Sequence, residues 1–270
     1  MTDRTISLAA LTILDAGPAG QVRAAADAGW ASVGLRLMPL LATDARVVGD
    51  ASAMTALEML LDETSMEVLE IGVFPVKPEM DWALIGQVLS FSGVIGARQI
   101  VCPVEDPDMA RRLATFQRLA DMAGAEGLDA LVEFNPYSAC PTLAEAVAIV
   151  ETCGRDNAAL VIDVLHLSRS GGRPDDLARI DPKLIRLVHL CDAPPPPVGQ
   201  ISAAELRAES RTARLLPGEG ALWLDELLKV VPPGVPLSVE APSAAHADLP
   251  TAERARRALA ATTAFLAGIG

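Results

Sequence analysis

The stretch Leu160–Gly172, LVIDVLHLSRSGG, opens as an apolar run, sets Asp163 at its end and adds His166 three residues later. A charge at the end of a buried strand is costly unless something pairs with it, so the question is what Asp163 faces. Three other stretches share the arrangement. ALVEF (130–134) carries Glu133, RLVHL (186–190) carries His189 and LSVEA (237–241) carries Glu240, each after a short, mostly apolar run. Any one of these reads as a polar group satisfied where a strand ends. Four at equivalent places on consecutive strands read as groups gathered for one task.

Outward from these strands, short apolar runs alternate with helical patterns along the whole chain. Runs at 6–11, 31–37, 66–74, 98–104, 128–134, 159–164, 184–190 and 235–241 read as strands, with helices between them, notably 107–125, 142–153 and 250–267. This is the spacing of βα units, and eight of them predict a (β/α)8 TIM barrel. A doubly wound sheet would show a glycine-rich first turn, and TILDAGPAG (12–20) lacks GxGxxG. Residues 1–270 are read as one domain. The longest interruption, 193–231, follows the seventh strand with the proline run Pro194–Pro197, a helix over 202–214 and the turn PGEG (217–220). A loop that long on a barrel is expected to cover the mouth.

Composition narrows the function. A 51% hydrophobic chain of 270 residues fills a large core, and with 3% aromatics that core is aliphatic. A net charge of −13 argues against nucleic acid. No apolar run reaches membrane-spanning length and the first residues lack a signal-peptide pattern, so a cytoplasmic protein is expected. The four cysteines form no CxxC pair and read as reduced and buried. Self-association into a homo-oligomer is compatible with all of this.

If strands five to eight deliver Glu133, Asp163, His189 and Glu240 to one barrel mouth, three carboxylates converge and repel. A divalent cation removes that cost. Three carboxylates and one imidazole suit Mn²⁺ or Mg²⁺, with Co²⁺ or Zn²⁺ as alternatives.

With EFNP (133–136), DVLHLSRSG (163–171), VHLCDAP (188–194), RLLPGEG (214–220) and VEAP (239–242), the chain resembles the sugar (phosphate) isomerase/epimerase family with the xylose-isomerase-like TIM barrel. The resemblance implies one divalent metal on Glu133, Asp163, His189 and Glu240. It also implies proton transfer by the two glutamates and substrate contacts from His166 and Arg214. The expected substrate is a small keto sugar or related polyol, handled through an enediolate. Returning the proton to the other face epimerises and returning it to the adjacent carbon isomerises. Losing a β-hydroxyl dehydrates, so a lyase of an inosose- or dehydroshikimate-type substrate is the alternative. A non-catalytic binding barrel is the remaining reading, and a complete ligand set speaks against it. An endonuclease would want more than three histidines and a basic face, and no lysine falls at a strand end for a Schiff base.

Four other charged groups are candidates for substrate binding or its support. Arg36 and Glu70 end strands two and three and are expected either to pair at the pocket wall or to point outward. Asp192 is expected to orient His189 or touch substrate. Arg207, Arg211 and Arg214 share a helical face, the first two read as pairing with Glu205 and Glu209 in solvent.

Overall fold

The computed structural model describes residues 4–40, 44–196 and 200–269; Pro197 of the proline run lies outside them. Eight parallel strands close into a barrel in sequence order. They are β1 (Ile6–Leu8), β2 (Ser32–Arg36), β3 (Glu67–Gly72), β4 (Gln99–Pro103), β5 (Asp129–Glu133), β6 (Ala158–Asp163), β7 (Ile185–Leu190) and β8 (Leu237–Val239). The helices are α1 (Gly17–Ala28), α2 (Ala51–Thr64), α3 (Trp82–Val94), α4 (Met109–Ala125), α5 (Leu143–Cys153), α6 (Val164–Arg169), α7 (Pro174–Leu177), α8 (Ala203–Thr212), α9 (Leu224–Val230) and α10 (Thr251–Gly268).

The strands are apolar on both faces because both are covered. The outward residues pack under the helices, whereas Leu69, Val101, Leu131, Ala159, Val161 and Leu187 form a separate cluster inside the barrel. Side-chain caps start the helices where the sequence supplies them: Asp50, Asp81, Asp108, Thr142 and Ser202 each accept backbone N–H groups of the first turn. Trp30 ties the end of α1 to α10 through a 3.0 Å bond from its indole N–H to the Ala255 carbonyl.

The end strands are shorter than the apolar runs that predict them. β1 stops at Leu8 and gives way to a tight 3₁₀ segment, Ala10–Ala16. β8 is confined to three residues between Pro236 and Pro242, neither of which offers a ladder N–H. The two strands nevertheless pair and close the barrel. Among the described residues no helix is long and apolar enough to cross a membrane.

Two register shifts interrupt the ladders. Val68 pairs with Val33 but Glu70 with Gly34, which leaves Leu69 as an extra residue on β3. Leu160 pairs with Ile185 but Val161 with Leu187, which leaves Arg186 as an extra residue on β7. Bulges of this kind re-aim the side chains beyond them.

Candidate metal centre

Glu133 ends β5, Asp163 ends β6, His189 is the penultimate residue of β7, and Glu240 follows β8 directly. All four are buried, and one ligand atom from each lies within 4.8 Å of the others. The chain around Glu240 is pinned from the first loop: the Thr12 hydroxyl donates to the Val239 carbonyl at 2.8 Å and accepts the Ala241 N–H at 2.9 Å.

His189 shows what the cluster is built for. Its Nε2 donates to Glu70 Oε2 at 2.9 Å, and the other Glu70 oxygen accepts the Ser238 hydroxyl at 2.6 Å. Its Nδ1 is buried without a hydrogen-bond partner among the described residues, while Glu133 Oε1 and Glu240 Oε2 stand 3.4 and 3.6 Å away. A carboxylate fixing one imidazole nitrogen so that the other points at a metal is the usual support of a histidine ligand. The donor set, three carboxylates and one unpartnered imidazole nitrogen, fits one divalent cation.

The protein also balances part of this charge itself. Arg214 is almost wholly buried, 1% exposed. It donates to Asp163 Oδ2 at 2.6 Å and lies 3.1 Å from Glu240 Oε2. Antiparallel bridges on either side of it, Asp192 with Leu215 and Ala213 with Ser243, aim it inward. Burial raises the Asp163 carboxyl, but the positive charges of Arg214, His166 and His189 outweigh it and hold the group below the ordinary range. Glu240 is pushed up to about 7, first by burial and then by Asp163 and Glu133, against the pull of His189 and Arg214. Burial lowers His189, yet the carboxylates of Glu70, Glu240 and Glu133 raise it well above the usual imidazole value.

His166 sits in the first turn of α6. Its backbone N–H donates to Asp163 Oδ1 at 2.9 Å, so Asp163 caps that helix with one oxygen while the other accepts from Arg214 at the cluster. Burial pushes the His166 imidazole down, and the ring meets Tyr137 edge to face at 5.5 Å. Tyr137 in turn shares a 2.9 Å hydroxyl bond with Ser210 of α8.

Three expectations need correction. Glu70 is not at the pocket wall: the bulge at Leu69 turns it into the barrel, where both its oxygens are taken by His189 and Ser238. Asp192 does not orient His189: its oxygens accept the N–H groups of Ala193, Leu222 and Gly218 and so fasten the loop after β7. A Cβ at Gly220 would stand 2.4 Å from Asp192 Oδ1, so that turn needs glycine. Nor do Arg207 and Arg211 pair with their helix neighbours. Arg207 lies over the Tyr137 ring at 4.8 Å, Glu209 binds Arg169 at 2.6 Å, and Glu205 caps its own helix.

Ser238, Tyr137 and Ser210 escape the sequence reading. Ser238 had a signal, since it stands two residues before Glu240 on the same strand face. Tyr137, the chain's single tyrosine, stands directly after the EFNP segment that Glu133 opens. Ser210 had none.

A family model described as xylose isomerase-like TIM barrel matches residues 22–264. The chain is 32% identical over 115 residues to an inosose isomerase of Halalkalibacterium halodurans, covering 42% of this chain and 38% of that protein. It is 34% identical over 124 residues to one of Bacillus licheniformis, covering 45% and 42%. The matched segment thus spans well under half the length of either relative. Among solved structures, an IolI protein with a bound zinc atom superposes with a TM-score of 0.82 at 20% identity, covering 100% of this chain and 99% of the other. A D-allulose 3-epimerase from Methylomonas sp. in complex with D-allulose superposes with 0.68 at 17% identity, covering 98% of each. At these identities the structural likeness speaks for the fold.

Proposed function

From the premise that the chain belongs to the xylose isomerase-like TIM-barrel family, we propose that it is a divalent-metal-dependent isomerase or epimerase of a keto sugar or related polyol. The carrying observation is the convergence of Glu133, Asp163, His189 and Glu240 around an unpartnered His189 Nδ1. A divalent ion held there, Mn²⁺ or Mg²⁺ by its oxygen-rich donors, would act as a Lewis acid toward a carbonyl and its neighbouring hydroxyl.

The protein's own part is proton handling. Glu133 and Glu240 come from strands on either side of β6 and β7. One removes the proton beside the carbonyl and the other returns it, by way of an enediolate. A carboxylate on each side of the ion suits groups that take and give a proton in turn. Arg214 positions the two carboxylates, donating to Asp163 and standing against Glu240 while Ser210 takes its other N–H groups, and His166 lies beside Asp163. Residues 200–231 of the segment after β7 cover the mouth in this reading, with α8 held down by the Arg169–Glu209 pair. Four free, buried cysteines support a reducing, cytoplasmic setting.

The test is solvent exchange. Mn²⁺-loaded protein is incubated in D₂O with a panel of ketoses, inososes and dehydroshikimate-like keto acids, and deuterium uptake into substrate is followed by NMR. Wild type should exchange at least one of them, and Glu240→Gln should slow that exchange by about 10²–10⁴-fold. Exchange at the wild-type rate in Glu240→Gln would remove that residue from the proposed pair.

A further inference from the structure

A cleft of about 570 Å³ opens at Pro242, two residues beyond Glu240, between the loops that follow β1, β2 and β8 and the end of α8. Leu11, Leu14, Pro18 and Pro242 give it apolar walls, suited to the face of a ring. Its charges are uneven. Arg36, Arg211 and Arg254 line it against Asp15 and Asp44, and Arg254 is already bonded to Asp15. Arg36 and Arg211 remain to face Asp44, one carboxylate against two guanidiniums, in a protein whose net charge is −13.

Arg36 is the better placed of the two. It projects from the end of β2, and its Nε is buried without a hydrogen-bond partner among the described residues. The charges acting on it are those of Glu240, Asp44 and Glu133, which favour it, and of Arg211, which opposes it. Two of the three favourable charges belong to the candidate metal ligands. With a divalent ion in their midst, their charge is shared with the ion and Arg36 loses most of its balance. Like charges brought together in a partly desolvated cleft are costly unless an anion joins them.

We propose that Arg36, with Arg211, holds a carboxylate of the substrate, so that the site takes a polyhydroxylated keto acid rather than a neutral keto sugar. This rests on the proposed metal centre. The ring or chain lies along the apolar walls, its carboxylate against the guanidiniums and its carbonyl end towards the cluster. Arginine suits this task because its fork matches both carboxylate oxygens.

Calorimetry on the full chain loaded with Mn²⁺ tests it with two unreactive ring polyols: quinate, which bears a carboxylate, and myo-inositol, which does not. Metal content is measured on the same samples. Quinate should bind wild type about tenfold or more tighter than myo-inositol. Arg36→Gln should weaken quinate by about 10- to 100-fold at unchanged metal content and leave myo-inositol as it was. Arg36→Lys should retain part of the preference. If Arg36→Gln does not fold, Arg211→Gln on the exposed end of α8 should still weaken quinate several-fold. Equal affinity for the two polyols at full metal occupancy, or an equal loss of both in Arg36→Gln, overturns the carboxylate assignment alone. Failure of wild type to bind Mn²⁺ overturns the metal-centre reading and this proposal with it.

Discussion

Strands β5 to β8 each bring an ionisable side chain to the barrel mouth, whereas β1, β3 and β4 end on Leu8, Gly72 and Pro103 and only β2 contributes a charge, Arg36. The interior below divides differently. β3 to β7 supply Leu69, Val101, Leu131, Ala159, Val161 and Leu187 to the inner apolar cluster, while Gly34 and Ser238 leave room for a polar group near β1. That group is Glu70, which crosses from β3 to reach His189 on β7. The two halves of the wall are thus unequal partners. One carries the donors, and the other holds a donor in position and opens the cleft where Arg36 waits. Reactive groups can be gathered on consecutive strands only if the opposite wall supplies the space and the hydrogen bonds that hold them in place.

Removing a donor should break the comparison most completely. Asp163→Asn is expected to abolish stoichiometric metal binding, read by elemental analysis. It should also cost the metal-free protein about 3 kcal/mol in denaturant titrations, because Arg214 loses its closest buried counter-charge. Full metal occupancy in this variant would mean that β6 is not part of the donor wall.

The supporting half is probed by Glu70→Gln. An amide cannot hold the imidazole as a carboxylate does, and metal affinity should fall by about 10- to 100-fold while the donors remain intact. Unchanged affinity would separate the halves and reduce Glu70 to packing.

Acidity sharpens the picture further. Below its raised value His189 carries a proton, and so does Glu240 below about 7. A metal must displace both, so affinity should fall as pH falls from 8 to 6, by about tenfold or more per unit. Calorimetry in buffers of different ionisation enthalpy would count the released protons. A pH-independent affinity over that range would contradict the proton inventory of the cluster.

The smallest effect is expected at Gly34. An added Cβ would stand 2.8 Å from Glu70 Oε1 and 2.9 Å from its Cγ. Glu70 is held at both oxygens and cannot simply swing away, so Gly34→Ala should cost about 1–3 kcal/mol in thermal or denaturant unfolding. A fully neutral substitution would show that the Glu70 contact is loose.

The sequence by itself determined the eight strands and the register of the four donors, because strand alternation is a local property: once ALVEF, LVIDV, RLVHL and LSVEA are strands, their ionisable residues share one end and one face. It determined the long segment after β7 for the same reason, as a departure from a regular repeat. Which charge meets which was decided only by the tertiary structure. Glu70 looks like an ordinary strand-end charge until the extra residue at Leu69 turns it inward, towards a histidine 119 residues away and a serine 168 residues away. Arg214 and Asp163, 51 residues apart, become a buried pair only when the bridges beside Arg214 bring it down onto the mouth. Asp192 spends its oxygens on backbone groups that no side-chain pattern reveals. Pairing energies in a closed barrel depend on distances across it, and those distances exist only after β1 has met β8.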